Sequence, residues 1–140
     1  MGFLYRCVEV NMIIDTSALM AILKQEQDAK SLIVKIYTST ERSMSSATYV
    51  EFQATAFKRT GGHQKTKGIV DKLIQKLSIK IIPLSSNQAL IARDAFYQYS
   101  SGKYGLNFGD CFSYALAKDL QQPLLFKGND FSKTDIQIVS

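Results

Sequence analysis

With 140 residues, the chain is long enough for one hydrophobic core and too short for two independent domains. Hydrophobic residues make up 46% of it and charged residues 21%, and no apolar stretch approaches membrane-spanning length, which excludes a membrane-embedded protein. A net charge of +5 favours polyanionic partners.

The first eleven residues lack the long apolar core and the small-residue cleavage pattern of a secretory signal, so we expect a cytoplasmic location. The two cysteines, Cys7 and Cys111, are far apart and neither belongs to a CxxC pair. This spacing favours two reduced thiols over a disulfide or a zinc site.

Strand and helix patterns alternate along the chain. An apolar run from Met12 to Ile14 stops at Asp15, and a helical pattern follows from Ser17 to Leu23. The later predicted elements are a helix over 28–37, a weak strand over 42–45, helices over 48–59 and 63–77, a strand over 79–83, helices over 87–100 and 110–120, and strands over 124–126 and 136–139. This alternation predicts an α/β fold, a three-layer α/β/α sandwich with a mostly parallel sheet of four or five strands.

Four acidic residues lie just after predicted strands or near the starts of the following helices. Asp15 ends the first strand, Glu51 is expected in the first turn of its helix, Asp110 begins a helix, and Asp130 follows the fourth strand. Because ligands of open α/β sheets gather at the carboxyl ends of the strands, we expect these acids to converge on one edge.

Each acid also has a purely structural interpretation. Asp15 and Asp110 can cap the helices that follow them, and Asp130 can stabilise the turn after Gly128. The sequence from Thr48 to Glu51 fits a capping box, in which Glu51 binds the backbone amide of Thr48. Capping explains each acid singly but not why four of them share one edge.

Four clustered carboxylates repel one another and stay ionised only around a cation. Oxygen ligands alone select a hard ion, Mg²⁺ or Mn²⁺. Such an ion can polarise a phosphodiester and activate a water molecule, which is the chemistry of a nuclease.

The order of these motifs resembles the PIN domain, and within it the VapC-type toxins, over nearly the whole length from Met12 to Val139. The segment from Ile13 to Leu19 looks like the opening motif, with Asp15 as the first metal-site acid and Ser17 as its supporting hydroxyl. Glu51 matches the helical glutamate of the family.

The segments around the last two acids carry the rest of the resemblance. Residues 106–111 resemble the third motif, which makes Asp110 the third acid, and residues 126–131 resemble the fourth. In that fourth motif Asp130 is the last acid and Asn129 an orienting neighbour.

The resemblance implies a single nuclease domain over 12–140, preceded by an extension over 1–11 that can add an edge strand. It implies a Mg²⁺-dependent endoribonuclease that uses water as its nucleophile. It further implies a toxin held inactive by a cognate VapB-like antitoxin, and a homodimer.

The segment from Lys58 to Lys80 holds seven of the seventeen basic residues and a single acid, Asp71. We interpret it as a surface that guides RNA, with a solvated helix face as the alternative. The residues assigned to RNA binding are Lys58, Arg59, Lys65, Lys67 and Lys72.

Other residues are set aside. His63, the only histidine, is expected at the surface, and Asp94 is expected to pair with a basic neighbour. For most of the aromatic residues Tyr97, Tyr99, Tyr104 and Phe108, core packing or a protein interface is favoured over stacking on bases.

Two other functions remain open. An aspartate-dependent phosphatase would use Asp15 as its nucleophile, but the second Asp expected two residues later is Ser17 here. A non-catalytic RNA-binding or regulatory module would retain the acids only as helix caps.

Overall fold

The computed structural model describes residues 9–140, which form four strands and six helices. The strands are β1 (Asn11–Ile14), β2 (Glu41–Ser45), β3 (Ile79–Ile82) and β4 (Leu124–Leu125), and the helices are α1 (Thr16–Leu23), α2 (Ala29–Thr38), α3 (Ser46–Arg59), α4 (Thr66–Lys76), α5 (Ser86–Tyr99) and α6 (Asp110–Leu120). Residues 1–8 lie outside this range, and with them most of the predicted extension.

All four strands are parallel, in the order β3-β2-β1-β4. Each strand reaches the next through a pair of helices, because a parallel neighbour cannot be reached by a tight turn. The chain first builds outward from β1 to β3 and then returns to place β4 on the other side of β1. The carboxyl end of β1, where Asp15 follows, therefore lies at the point where the strand order reverses.

The sheet separates two hydrophobic cores. Along β1, Met12 and Ile14 point into one core and Ile13 into the other, as the two-residue period of a strand requires. The first core is filled mainly from α1 to α4 and the second from α5 and α6. The predicted three-layer α/β/α sandwich is thus confirmed, and no helix among residues 9–140 has the length and apolar character needed to cross a bilayer.

Three predicted elements differ from the structure by more than one residue at an end. The helix predicted over 63–77 begins only at Thr66, because Gln64 and Lys65 form a turn. The expected last strand over 136–139 is reduced to one parallel bridge between Leu124 and Ile138, because β4 offers only two residues to pair with. Helix α3 begins at Ser46, two residues before the predicted start, because Ser45 caps it by accepting from the amide of Ala47 at 3.2 Å. The earlier start of α3 changes the position of Glu51 along the helix.

Candidate metal centre

Asp15 is buried at the end of β1 and caps α1. Its Oδ2 accepts from the amide of Ser17 at 3.0 Å and from the hydroxyl of the same residue at 2.7 Å. Its Oδ1 accepts from the hydroxyl of Ser113 at 2.5 Å. Burial raises the pKa of Asp15 above its ordinary value, against the opposing effect of these hydrogen bonds. The structure confirms that Asp15 caps α1, and this cap uses only Oδ2.

Glu51 lies in the second turn of α3, so its predicted place in the first turn was wrong, as was the capping box with Thr48. Its Oε1 accepts from the hydroxyl of Thr16 at 2.5 Å, which ties it to the residue that follows Asp15. On its other side the carboxylate lies against Gly109, where an added β-carbon would overlap Oε2. Burial, followed by repulsion from Asp15, raises the pKa of Glu51.

Asp110 begins α6 and is buried. Its Oδ2 accepts from the amide of Asn107 at 3.0 Å, and its own amide donates to Oδ1 of Asn107 at 2.8 Å. Burial is the main cause that raises the pKa of Asp110 to about 8, and the charges of Asp15, Asp130 and Glu51 add to it. The charges of all three other predicted acids therefore contribute to the raised pKa of Asp110.

Asp130 is exposed, in the turn after β4, and it stands at the rim of the group. The loop that carries it is tied to the centre because the amide of Lys127 donates to the hydroxyl of Ser17 at 3.0 Å. Its neighbour Asn129 is exposed as well, and its carbonyl accepts from the hydroxyl of Ser132 at 2.7 Å. The structure thus brings the buried Asp15 and Asp110 together with the half-buried Glu51 and leaves the exposed Asp130 at their edge.

Three residues that hold these acids were missed by the sequence interpretation. The hydroxyl of Thr16 donates to Glu51, the amide of Asn107 donates to Asp110, and the hydroxyl of Ser113 donates to Asp15. The one signal available was the position of Ser113, three residues after Asp110 and so on the same face of its helix. Short polar residues are too common for such a signal to stand out without the contact itself.

The donor set of this centre consists of carboxylate oxygens alone, which is the set that Mg²⁺ and Mn²⁺ prefer. Within residues 9–140, none of the four acids forms an ion pair with a lysine or arginine. In the same range, no three side chains of Asp, Glu, His or Cys lie close enough to enclose a metal ion by themselves. The arrangement suits an ion that is held directly by one or two carboxylates and keeps several waters, as Mg²⁺ does.

The predicted RNA-binding residues are all exposed, on the end of α3, the following turn and α4. None of Lys58, Arg59, Lys65, Lys67 and Lys72 is engaged in a salt bridge with any residue from 9 to 140. Asp71, the one acid of this segment, accepts instead from Tyr49 at 2.5 Å and Gln53 at 2.9 Å. These five residues therefore present positive charge to solvent without an acidic partner among residues 9–140, whereas Lys80, at the end of the segment, pairs with Glu41 at 2.7 Å.

The residues set aside in the sequence behave as expected. Asp94 pairs with Arg93 at 2.9 Å, and His63 is exposed. Cys111 is buried, and burial raises the pKa of its thiol to about 11, which makes it a poor nucleophile. Of the four aromatic residues, Tyr99 is buried in the second core and Tyr104 packs against it, whereas Tyr97 is 83% and Phe108 71% exposed, so core packing accounts for only two of them.

Comparison with known proteins adds three findings. The PIN domain family model matches residues 12–137. Ribonuclease VapC of Mycolicibacterium smegmatis is 42% identical over 133 residues, which cover 91% of this chain and 99% of that protein. Ribonuclease VapC30 of Mycobacterium tuberculosis is 40% identical, over 92% of this chain and 98% of that protein.

Solved structures share the fold at lower identity. The crystal structure of Mycobacterium tuberculosis VapC20, described as a Sarcin-Ricin loop cleaving toxin, superposes with a TM-score of 0.71 at 15% identity, covering 91% of this chain and 98% of that one. A toxin-antitoxin complex from Klebsiella pneumoniae gives a TM-score of 0.66 at 18% identity, covering 92% and 96%.

Proposed function

This chain belongs to the PIN domain family and, within it, to the VapC ribonucleases, and from that membership we propose that it is a metal-dependent endoribonuclease. It cleaves RNA phosphodiester bonds with an activated water molecule. The observation that carries the proposal is the convergence of Asp15, Glu51 and Asp110, from three distant parts of the chain, on one edge of the sheet, where Asp15 and Asp110 are buried and Glu51 is half-buried. Helix capping alone gives no reason for this convergence.

The proposed ion is Mg²⁺, with Mn²⁺ as a substitute. Asp15 and Asp110 are the proposed direct ligands, while Glu51 and Asp130 complete the centre through water or hold a second ion. When bound, the ion supplies a Lewis acid for the phosphodiester and a water of lowered pKa. Its positive charge would also offset the repulsion between acids that form no ion pair with a lysine or arginine among residues 9–140.

The chain's own residues orient this chemistry. Ser17 and Ser113 fix the two oxygens of Asp15, and Asn107 fixes Oδ2 of Asp110. Glu51 has a raised pKa, which makes its carboxylate a better proton acceptor for the attacking water than an ordinary glutamate. The exposed lysines of α4 offset the repulsion between the acidic centre and the phosphates of RNA.

Membership of the VapC ribonucleases also leads us to propose that the chain is a toxin, held inactive by a VapB-like antitoxin. The toxin-antitoxin complex among its structural relatives supports this partner. A homodimer and a cytoplasmic location belong to the same proposal. Capture of the product of the neighbouring reading frame on co-expression tests the partner, and a chain that elutes alone argues against it.

The experiment that tests the activity is incubation of the purified protein with total RNA and Mg²⁺, beside an EDTA control and the Asp110→Asn variant. We expect cuts at discrete positions that require the ion and fall at least about 100-fold in the variant, since it removes a charge needed to hold the ion. The variant is essential because it carries the same contaminating nucleases.

The two other functions give different results. Equal RNA binding by wild type, Asp15→Asn and Asp110→Asn, with no cleavage by any of them, would identify a non-catalytic module. A trapped phosphoaspartate at Asp15 would identify a phosphatase, although Ser17, which stands where a second Asp would be required, donates its hydroxyl to Asp15.

A further inference from the structure

Two completely buried hydroxyl groups lie directly behind the acidic centre. Oγ1 of Thr48 and Oγ of Ser113 are 3.2 Å apart, and both residues have no exposed surface. Oγ of Ser113 is also 2.5 Å from Oδ1 of Asp15. An ionised carboxylate only accepts hydrogen bonds, so Ser113 donates to Asp15 and Thr48 donates to Ser113.

Each of these two hydroxyl residues shares a helix with one of the acids and lies three residues from it. Thr48 precedes Glu51 by three residues on α3, and Ser113 follows Asp110 by three residues on α6. Residues three apart lie on the same face of a helix. The contact between the hydroxyls therefore fixes the position of α3 relative to α6. It lies about one helical turn from Glu51 and from Asp110.

Asp15 is hydrogen-bonded to this pair of hydroxyls through its Oδ1 only. Its Oδ2 already accepts two hydrogen bonds from Ser17, which use both of its lone pairs. Its Oδ1 accepts from the hydroxyl of Ser113, and no second hydrogen bond of normal geometry reaches this oxygen from residues 9–140. Oδ1 is thus the oxygen left to bind an ion, and Ser113 determines where it points.

We propose that Ser113, anchored by Thr48, is a positioning residue that aims Oδ1 of Asp15 at the metal ion and holds Glu51 and Asp110 in register around it. The inference rests on the proposed function, since it concerns the same ion. A purely structural role is the alternative, because buried hydroxyls need partners in any fold. The two differ in that only positioning changes the affinity for the ion in a protein that remains folded.

The test is the dissociation constant for Mn²⁺, measured from the electron paramagnetic resonance of the free ion, for wild type, Ser113→Ala and Thr48→Val. Tyr114→Phe is the matched control, because it removes the hydroxyl of the next residue of α6, which donates to Asp135 at 2.5 Å. Loss of a residue that orients a ligand typically weakens metal binding by about 10- to 100-fold.

We expect a weakening within that range for Ser113→Ala, a smaller one for Thr48→Val, and less than about twofold for Tyr114→Phe. Because the two hydroxyls act in series, the double variant should bind no more weakly than Ser113→Ala alone. Thermal unfolding shows which variants remain folded. If Ser113→Ala does not fold, Thr48→Val, which keeps the shape of the side chain, provides the test instead.

Unchanged Mn²⁺ affinity in the folded variants, with normal binding by wild type, overturns the positioning role and leaves the proposed function intact. Absence of Mn²⁺ binding by wild type overturns the metal-dependent function, and the positioning role with it. A weakening as large in Tyr114→Phe as in Ser113→Ala also overturns the inference, because it shows a general effect of lost hydroxyls on α6.

Discussion

Glycine is needed at position 109 because there is no room for a side chain, and not because of the backbone conformation. Its φ of −64° and ψ of −37° are open to any residue. What excludes a side chain is the carboxylate of Glu51, which occupies the place of a β-carbon. The atom in the way is the end of a flexible side chain, so an added methyl group would displace Glu51 and leave the fold intact.

We therefore predict that Gly109→Ala lowers metal-dependent RNA cleavage by about 100-fold, because a displacement of about 1 Å at a catalytic centre has effects of this size. Its stability should change by less than about 1 kcal/mol. Gly68→Ala is the control, since Gly68 is an exposed helical residue with nothing within 4 Å of an added β-carbon. Equal activity of Gly109→Ala and Gly68→Ala would show that the position of Glu51 is unimportant.

Asp110 makes the stability of the metal-free protein depend on pH. Its folded-state pKa is about 8, whereas an unfolded aspartate titrates near its ordinary value of 3.8. Between these values the folded state binds more protons than the unfolded state, so the free energy of unfolding falls as pH rises. Stability contributed by the protonated group is present at low pH and is lost as pH approaches 8.

The Asp110→Asn variant cannot take up this charge, so we expect its stability, relative to wild type, to rise from pH 5 to pH 8 by at most about 1.4 kcal/mol per pH unit. Urea unfolding in EDTA at several pH values measures the difference. Added Mg²⁺ should stabilise wild type more than the variant at pH 8. Curves that stay parallel across this range would mean that neither burial nor the neighbouring acids raise the pKa of Asp110 in the folded protein.

At the scale of elements, the α3–α4 hairpin links the acidic centre to the basic segment. Lys58 lies seven residues beyond Glu51 on α3, which is about 10 Å along the helix axis. Lys65 precedes α4, and Lys67 and Lys72 lie on it, all exposed. An RNA strand with one phosphate at the acids can thus continue along these lysines.

Reversal of Lys65, Lys67 and Lys72 to Glu, in an Asp110→Asn background that prevents cleavage, should weaken RNA binding. It should also reduce the slope of log affinity against log salt by about 2, since each lost phosphate contact contributes about 0.7. Reversal of the exposed Lys30 and the half-buried Lys35 on α2 is the control. If affinity and salt slope match those of this control, the guiding role is wrong.

The sequence predicted the number and order of the main elements because hydrophobic periodicity is a local property. It failed at their ends, where non-local contacts decide. Ser45 rather than Thr48 caps α3, and Thr48 is instead drawn to Ser113, 65 residues away. The two-residue length of β4, which limits pairing with Ile138, was equally invisible in the sequence.

The same reasoning separates the site residues that were found from those that were missed. Acids at strand ends were found because the chain topology alone brings strand ends together. Thr16, Asn107 and Ser113 were missed because their roles depend on individual contacts. The acids could thus be predicted from the sequence, and the residues that orient them could not.

At the scale of the whole molecule, the fold gathers groups from opposite ends of the chain at the point where the strand order reverses. Ser113 reaches Asp15 across 98 residues, and the amide of Lys127 reaches Ser17 across 110. Assembly of the centre therefore requires both faces of the sheet to be packed, since α3 belongs to one core and α6 to the other. Buried like charges in such a place reduce stability, and a bound cation offsets that reduction.

Anomalous diffraction from a crystal soaked in Mn²⁺ tests most directly whether these acids bind one ion together. We predict a peak in contact with Oδ1 of Asp15 and the carboxylate of Asp110, with water completing its coordination, and no such peak in the Asp110→Asn variant. The contradicting result is a saturated soak without density at this position, in which Asp15, Glu51 and Asp110 keep only their bonds to Ser17, Ser113, Thr16 and Asn107.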